Sequence, residues 1–314
     1  MELNDIQKIL IKLNFKSKFK FNKISQELGY SRQTFLKYLK KLKDEKIIRN
    51  TTININPNLR LNLRYVLIEI KSNPKEPHLV DKLLKLPQLR SLDGILGEFS
   101  LNAFFVFKNQ EEFKKMLNEI DKIMASSYFK KYQIIETIKI YKTNGIKLSE
   151  LNIGQLNLDE KDYLILKILQ EEQGLKTLST YEIRDIMKRV YEKDISQSTI
   201  HNRIKNLEIN NIILNYIMNF KPKKVGFGGK YILRIKPKDP SKYEELALKL
   251  EQNVEITDLF RIGDEYGLLL IVRVKKIEDY GPFIQKLYLS EEIEDTFTSF
   301  VLDELKPYTN FVLF

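Results

Sequence analysis

The feature that most limits how this chain can fold is that it repeats itself. Ser31-Arg32-Gln33-Thr34-Phe35 returns as Ser196-Gln197-Ser198-Thr199-Ile200, and Leu39 and Leu42 return as Ile204 and Leu207. Ile47-Ile48 returns as Ile212-Ile213 and Pro57 as Pro222, every pair 165 positions apart. Pro74-Lys75-Glu76-Pro77 then returns as Pro237-Lys238-Asp239-Pro240 at a separation of 163, so the second copy has lost two residues before this turn. A period this long indicates duplicated domains rather than a solenoid. In 314 residues it leaves two copies, each large enough for small cores of its own.

Each copy divides in two. In copy one, Ile6, Ile9, Leu10 and Leu13 sit at helical spacing. A second short helix carries Ile24 and Leu28 and stops at Gly29, and Ser31 is placed to cap a third helix carrying Phe35, Leu39 and Leu42. Ile47-Ile48 and Thr51 to Ile55 then read as two short strands with a turn at Arg49-Asn50. The order is helix, helix, turn, helix, β-wing. In copy two, Ser179-Thr180-Tyr181-Glu182 is a capping box for the second helix, and Ser196 caps the third. The remainder of each copy reads strand, helix, strand, strand, helix, strand, the ferredoxin-like βαββαβ order. The strands are expected near Tyr65–Ile70, Leu89–Leu96, Leu101–Phe107 and Tyr132–Tyr141, and near Tyr231–Ile235, Glu255–Ile262, Leu268–Val274 and Asp295–Val301. Alternation such as Tyr65/Leu67/Glu69 leaves one face needing a cover, which the two copies could give each other.

Charge separates the copies. Residues 1–60 hold 14 Lys+Arg against 5 Asp+Glu, a net of +9 out of the chain's +11. Residues 155–225 hold 12 against 10, a net of +2. A compact basic segment is the footprint of a polyanion partner; its bland alternative is a solvated lysine face. Zero cysteines exclude disulfides, thiolate metal sites and cysteine catalysis. Nothing reads as a signal peptide or a membrane helix, so the expected location is the cytoplasm, with no cofactor and no metal.

The third helices carry a family pattern. Ser196, Thr199, Ile200, Arg203, Ile204, Leu207, Glu208, Asn211, Ile212 and Ile213 resemble the S-x-x-T-V-x-x-R-I-x-x-L-E-x-x-G-V-I run of the Lrp/AsnC (feast/famine) regulators. Ser31, Thr34, Phe35, Tyr38, Leu39, Leu42, Lys43, Lys46, Ile47 and Ile48 follow it without the arginine, glutamate or glycine. The resemblance covers nearly the whole chain twice. It implies an α+β protein with two winged helix-turn-helix domains, 1-60 and 151-226, alternating with two ferredoxin-like (RAM-type) sensor domains, 61-150 and 227-314. The family works as dimers, so this chain is expected to be a covalent pseudo-dimer that regulates transcription on double-stranded DNA. Octamers are common in the family, which makes further copies of the chain expected partners.

A recognition helix places its N-terminal residues against base edges in the major groove. The DNA-binding residues expected from this are Ser31, Arg32, Gln33, Thr34, Lys37, Tyr38, Lys40, Lys41 and Arg49 in head one. In head two they are Ser196, Gln197, Ser198, Thr199, His201, Asn202 and Arg203. Arg and Gln suit guanine and adenine. Lys16, Lys18, Lys20 and Lys23 would join Lys40, Lys41 and Arg49 on phosphate. Head two either reads a half-site with little electrostatic help or has become a structural or partner-binding module.

Family sensor domains bind amino acids near a G-x-x-D loop. Gly97 to Ser100 and Gly263 to Gly267 hold that place, with the aspartate displaced. Gly97, Ser100, Gly263 and Asp264 are therefore either the site of an amino acid or other small-molecule effector, or parts of glycine-bearing hairpin turns. Gly226-Phe227-Gly228-Gly229-Lys230 lacks phosphate-loop spacing and reads as a hinge. Two rival classes share these features. One is an enzyme resembling the siroheme decarboxylases, which should bring histidines and arginines to one pocket. The other is an architectural DNA-binding protein with shallow sequence preference.

Overall fold

The computed structural model describes residues 2–16, 21–58, 63–151 and 157–314. Along the chain come α1 (Leu3–Lys12), α2 (Phe21–Glu27), α3 (Arg32–Asp44) and β1 (Ile48–Ile55). Next are β2 (Arg64–Lys71), α4 (Pro77–Leu84), β3 (Leu89–Leu96), β4 (Leu101–Phe107), α5 (Gln110–Ala125), β5 (Lys131–Thr143) and β6 (Ile146–Lys147). Copy two gives α6 (Glu160–Glu171), α7 (Thr180–Tyr191), α8 (Gln197–Ile209) and β7 (Ile213–Phe220). It ends with β8 (Gly229–Pro237), α9 (Tyr243–Leu250), β9 (Ile256–Ile262), β10 (Leu268–Val274), α10 (Tyr280–Tyr288) and β11 (Ile293–Glu304). Two compact units result, and each draws on both copies. Residues 1–56, 150–226 and 308–314 form the first, and 57–149 with 227–307 the second.

The first unit is held by caps and by strand exchange. Ser31 Oγ accepts from the Thr34 amide and Ser196 Oγ from the Thr199 amide, both at 3.1 Å, so each third helix starts where a serine satisfies its orphan donors. Gly29, at φ +73°, allows the left-handed exit from α2 that the sequence anticipates. Phe35, Leu39 and Leu42 of α3, and Ile200, Ile204 and Leu207 of α8, are buried as their spacing requires. The wing departs from expectation. β1 is one strand with an irregularity at Arg49-Asn50, not two strands around a turn. Its partner is β7 of the other copy, antiparallel, with Thr52 opposite Ile217. The Thr51 and Thr52 hydroxyls donate to the carbonyls of Leu175 and Gln170, stitching the first copy's strand onto the second copy's helical part. The apolar C-terminal tail packs here as well, with Phe311 edge-on to Phe220 at 5.0 Å.

The second unit is a mixed α+β body of ferredoxin-like construction. Strands β5, β2, β4 and β3 are neighbours in that order, as are β11, β8, β10 and β9. Helices α4 and α5 cover one face of the first set, burying Leu83, Phe113 and Ile120 against Val66, Ile68 and Phe105. Helices α9 and α10 do the same for the second with Leu246, Leu250 and Phe283. The two sets then join. The first half of β5 pairs with β2 and its second half with β9, while β11 pairs first with β8 and then with β3. The strands thus close into a ring, and full closure removes exposed sheet edges.

Pairing register equates the copies residue by residue. Ile70 faces Leu101 as Ile235 faces Leu268, so Glu69 corresponds to Arg234 and Tyr65 to Lys230. This 165-residue register survives to the ends of β2 and β8, which puts the two-residue loss inside the following turn. The face carrying Tyr65, Leu67 and Glu69 is not simply apolar: Glu69 is buried and pairs with Arg234 at 2.5 Å. The Gly226–Lys230 run is no phosphate loop. A Cβ on Gly228 would meet the Lys275 carbonyl oxygen at 2.8 Å, and Lys230 is a buried strand residue.

Candidate nucleic-acid interface and ligand cavity

Burial of Phe35, Leu39 and Leu42 turns the opposite side of α3 to solvent. Arg32, Gln33, Lys37, Lys40 and Lys41 are all exposed, with Leu36 among them. Lys41 lies 3.8 Å from Glu45, a weak surface pair that leaves the face basic. Ser31 and Thr34 spend their hydroxyls on each other and on the helix start. Tyr38 is half-buried against Tyr30, ring centroids 5.0 Å apart. Lys16 and Lys23 are exposed, while Lys18 and Lys20 lie outside the described residues. Exposed Arg49 sits 5.9 Å over the Tyr308 ring.

α8 presents a different surface. Gln197, Ser198, His201 and Asn202 are exposed, and Ser196, Ser198 and Thr199 share hydroxyl hydrogen bonds at 2.8 Å. Arg203 has partners that the sequence reading did not anticipate. Its guanidinium donates to Asp159 and Asp162 at 2.8–2.9 Å, tying α8 to the capped start of α6. Desolvation works against ionisation of Asp159, but the Arg203 hydrogen bonds and the backbone amides outweigh it and hold that carboxyl below its ordinary value. Arg203 is therefore assigned to docking of the helices, which explains an arginine at this place without DNA. Arg203→Ala should cost about 1–3 kcal/mol, because it leaves the buried Asp162 carboxylate without its cation. Urea denaturation beside DNA titration checks this: stability should fall while DNA affinity changes less than about twofold.

The effector candidates separate in the second unit. Ser100 Oγ accepts from the Ser72 amide at 2.7 Å and holds its turn to β2. Gly97, at φ +153°, and Gly263, whose amide donates to the Glu136 carbonyl, are backbone features of hairpins. Asp264 reaches a cavity through Arg234 at 3.0 Å, and Gly97 and Ser100 flank two of its lining residues, Glu98 and Phe99. That cavity measures about 130 Å³, is partly open to solvent, and is lined by Glu69, Ile95, Glu98, Phe99, Gln133, Arg234, Tyr266, Phe297 and Ser299. Sequence reasoning missed Glu69, Phe99, Arg234 and Tyr266. The available signal was a charge at an inward position of each otherwise apolar strand, Glu69 in Arg64–Lys71 and Arg234 in Gly229–Pro237. Among the described residues no group of three or more His, Asp or Glu is placed to hold a metal ion. No helix among them is long and apolar enough to cross a membrane.

One helical unit with a strongly basic capped helix, and one unit in which a closed pair of ferredoxin-like sheets holds a small cavity, define the class as a duplicated two-unit α+β protein. Comparison places it more closely. The model of the Lrp/AsnC ligand binding domain matches residues 231–311. The HTH-type transcriptional regulator FL11 of Pyrococcus furiosus is 30% identical over 152 residues, 48% of this chain and 94% of its own length. The regulator Ptr1 of Methanocaldococcus jannaschii is 36% identical over 128 residues, 40% of this chain and 82% of its own. The chain belongs to the Lrp/AsnC family of HTH-type transcriptional regulators, and each of these relatives matches about half of it. The siroheme decarboxylase NirDL, solved in complex with an iron-uroporphyrin III analogue, is similar over 96% of this chain and 92% of its own. The TM-score is 0.60 at 14% identity, a likeness of fold alone.

Proposed function

We propose that this regulator grips double-stranded DNA chiefly through α3, as the recognition helix of the first of two winged helix-turn-helix heads. On this reading the chain is a cytoplasmic covalent pseudo-dimer, its heads at 1-60 and 151-226 and its sensor domains at 61-150 and 227-314. The supporting observation is the exposed row Arg32, Gln33, Lys37, Lys40 and Lys41 on one helix face. Lysines there neutralise phosphate, while Arg32 and Gln33 lie in the first turn, where a recognition helix meets base edges. Head two offers Gln197, Ser198, His201 and Asn202 and a net charge of only +2 over residues 155–225, so it adds base contacts without much attraction of its own. A small-molecule effector acting on the sensor domains completes the reading.

The test is a footprint on DNA upstream of the protein's own gene, at near-physiological salt with excess competitor. The expected result is a discrete footprint that Arg32→Ala/Lys37→Ala weakens by at least about tenfold. Gln197→Ala/Asn202→Ala should change which bases are protected more than how tightly the protein binds. A smear competed away equally by any DNA, with a steep salt slope, supports the architectural reading instead. The decarboxylase reading gains only the shared fold. The cavity described above, at about 130 Å³, is far below the roughly 300–1,000 Å³ of a drug-sized pocket, so a tetrapyrrole would need a different site. His78 and His201 are both exposed and belong to different units, at the start of α4 and on α8.

A further inference from the structure

The cavity lies on the pseudo-two-fold axis of the second unit. Six of its nine lining residues are each other's counterparts: Glu69 with Arg234, Phe99 with Tyr266, and Gln133 with Phe297. In a chain with identical halves, such a cavity would be two-fold symmetric. Here each of these three pairs has diverged, so the cavity has a polarity and occurs once per chain.

Two groups of buried charge occupy this interface, and they differ in one respect that matters. Asp93, Glu304, Lys230 and Arg273 form a set with two anions and two cations, all within ion-pair reach of one another through Lys230 and Glu304. None of them lines the cavity. Glu69, Arg234 and Asp264 form the other set, with two carboxylates against one guanidinium. Glu69 and Arg234 line the cavity. Glu98 at the wall carries its own counter-ion, Lys131 at 2.5 Å, and leaves the sum unchanged. The open set thus carries a net charge of −1 in a place where Glu69 is 3% and Arg234 7% exposed. Its geometry is also incomplete. Asp264 Oδ2 and Arg234 Nη2 are buried and receive or make no aligned hydrogen bond despite their ion-pair distances. An uncompensated buried charge is costly, and a ligand of opposite sign relieves it.

We propose that the cavity is a ligand site, one per chain, for a small organic cation: a primary ammonium on a short apolar chain. Glu69 in the wall supplies a carboxylate directly, and Asp264 lies behind it on Arg234 and leaves the set one negative charge in excess. Rings of Phe99, Tyr266 and Phe297 supply apolar walls, the first already facing Lys131 at 5.4 Å and the last Arg234 at 5.5 Å. The volume of about 130 Å³ sets the size, comparable with about four water molecules. Binding of this kind needs no DNA and does not depend on the DNA reading, so either can fail alone.

Isothermal titration of the full chain with n-butylamine and 1,4-diaminobutane, in the absence of DNA, tests it, with butyrate as the charge-reversed control. The expected result is saturable binding of both amines at millimolar concentration or below and none of butyrate. Asp264→Asn should weaken amine binding by about tenfold or more. Gln133→Lys, at an exposed wall position that leaves folding intact, should abolish it by placing a tethered ammonium in the site. Absence of saturable amine binding overturns the proposal. So does butyrate binding as well as the amines, or amine binding that is unchanged in Gln133→Lys.

Discussion

Lys230→Met is expected to destabilise the protein by about 3–5 kcal/mol at neutral pH, one of the two largest effects of any single change considered. Lys230 sits between Asp93, at 2.7–2.8 Å, and Glu304, at 3.6 Å, with all three side chains nearly excluded from water. Removing the ammonium leaves two buried carboxylates with Arg273 alone. The guanidinium already serves Glu304 through two hydrogen bonds of 3.0 and 2.8 Å, so Asp93 is the group left stranded. The carboxyls titrate in opposite directions for the same reason. Burial pushes Asp93 above its ordinary value against the pull of Lys230. Burial also opposes ionisation of Glu304, but Lys230 and Arg273 together outweigh it and bring the group down to about 2.

The sign of the pH dependence follows. Glu304 has a folded pKa below its ordinary 4.5, so its contribution is present above that pH and is lost as the pH falls toward 2. Asp93 works the other way, since a raised folded pKa means that protonation favours the folded state. In Lys230→Met the depression of Glu304 shrinks and the elevation of Asp93 grows. The deficit should therefore be largest near pH 7 and narrow on acidification. Urea midpoints for both proteins at pH 7 and near pH 4.5 would show it. A deficit under about 1 kcal/mol, or one that does not change with pH, sinks the account of this cluster.

Local signals in the sequence reached the fold well where their causes are local. Ser31, Ser179 and Ser196 cap helices because a hydroxyl beside orphan amides needs only its own neighbours. Strands β3, β4 and β10 begin and end where alternation and turn residues put them. The wing was misread because its partner is 165 residues away. Ile48–Ile55 has no hairpin mate in its own copy, so the break at Arg49-Asn50 looked like a turn. Arg203 was misplaced for a related reason. The family pattern names an arginine, but only the position of Asp159 and Asp162 shows that it faces inward. The ligand cavity was least legible of all, since it is assembled from both copies and its charges meet only across the ring of strands.

Divergence between the copies runs through both units in the same sense. In the helical unit, Lys37 and Lys41 of α3 stand where α8 has Asn202 and Asn206, and only Lys40 keeps a lysine counterpart, Lys205, so the exposed face of α3 is the more basic. In the second unit, the charged set Asp93, Lys230, Arg273 and Glu304 corresponds to Phe260, Tyr65, Val106 and Ile140. One side of the interface is ionic and the other apolar, with Phe104 spanning Tyr65 at 6.0 Å and Phe260 at 5.5 Å. Neither half could meet a copy of itself without setting a charge against a ring.

Glu69 and Arg234 bring this to a single pair, and reversing either should unfold much of the second unit. Counterparts that touch each other lie at the axis, where a homodimer would oppose two glutamates or two arginines. Glu69→Arg sets two guanidiniums together at positions that are 3% and 7% exposed, and Arg234→Glu sets three carboxylates together with Asp264. Each single change is expected to cost about 3–5 kcal/mol or more, because a buried like-charge pair has lost both its attraction and its solvent. The double exchange restores opposite signs at the axis and should recover more than half of the summed loss. Recovery should stop short of wild type, since Asp264 then faces a carboxylate at position 234 in place of its cation. Denaturant unfolding of the four proteins as a double-mutant cycle measures the coupling directly. A coupling energy below about 1 kcal/mol would mean that the axis tolerates any charge, and that the halves are kept together by their covalent link and their strand pairing alone.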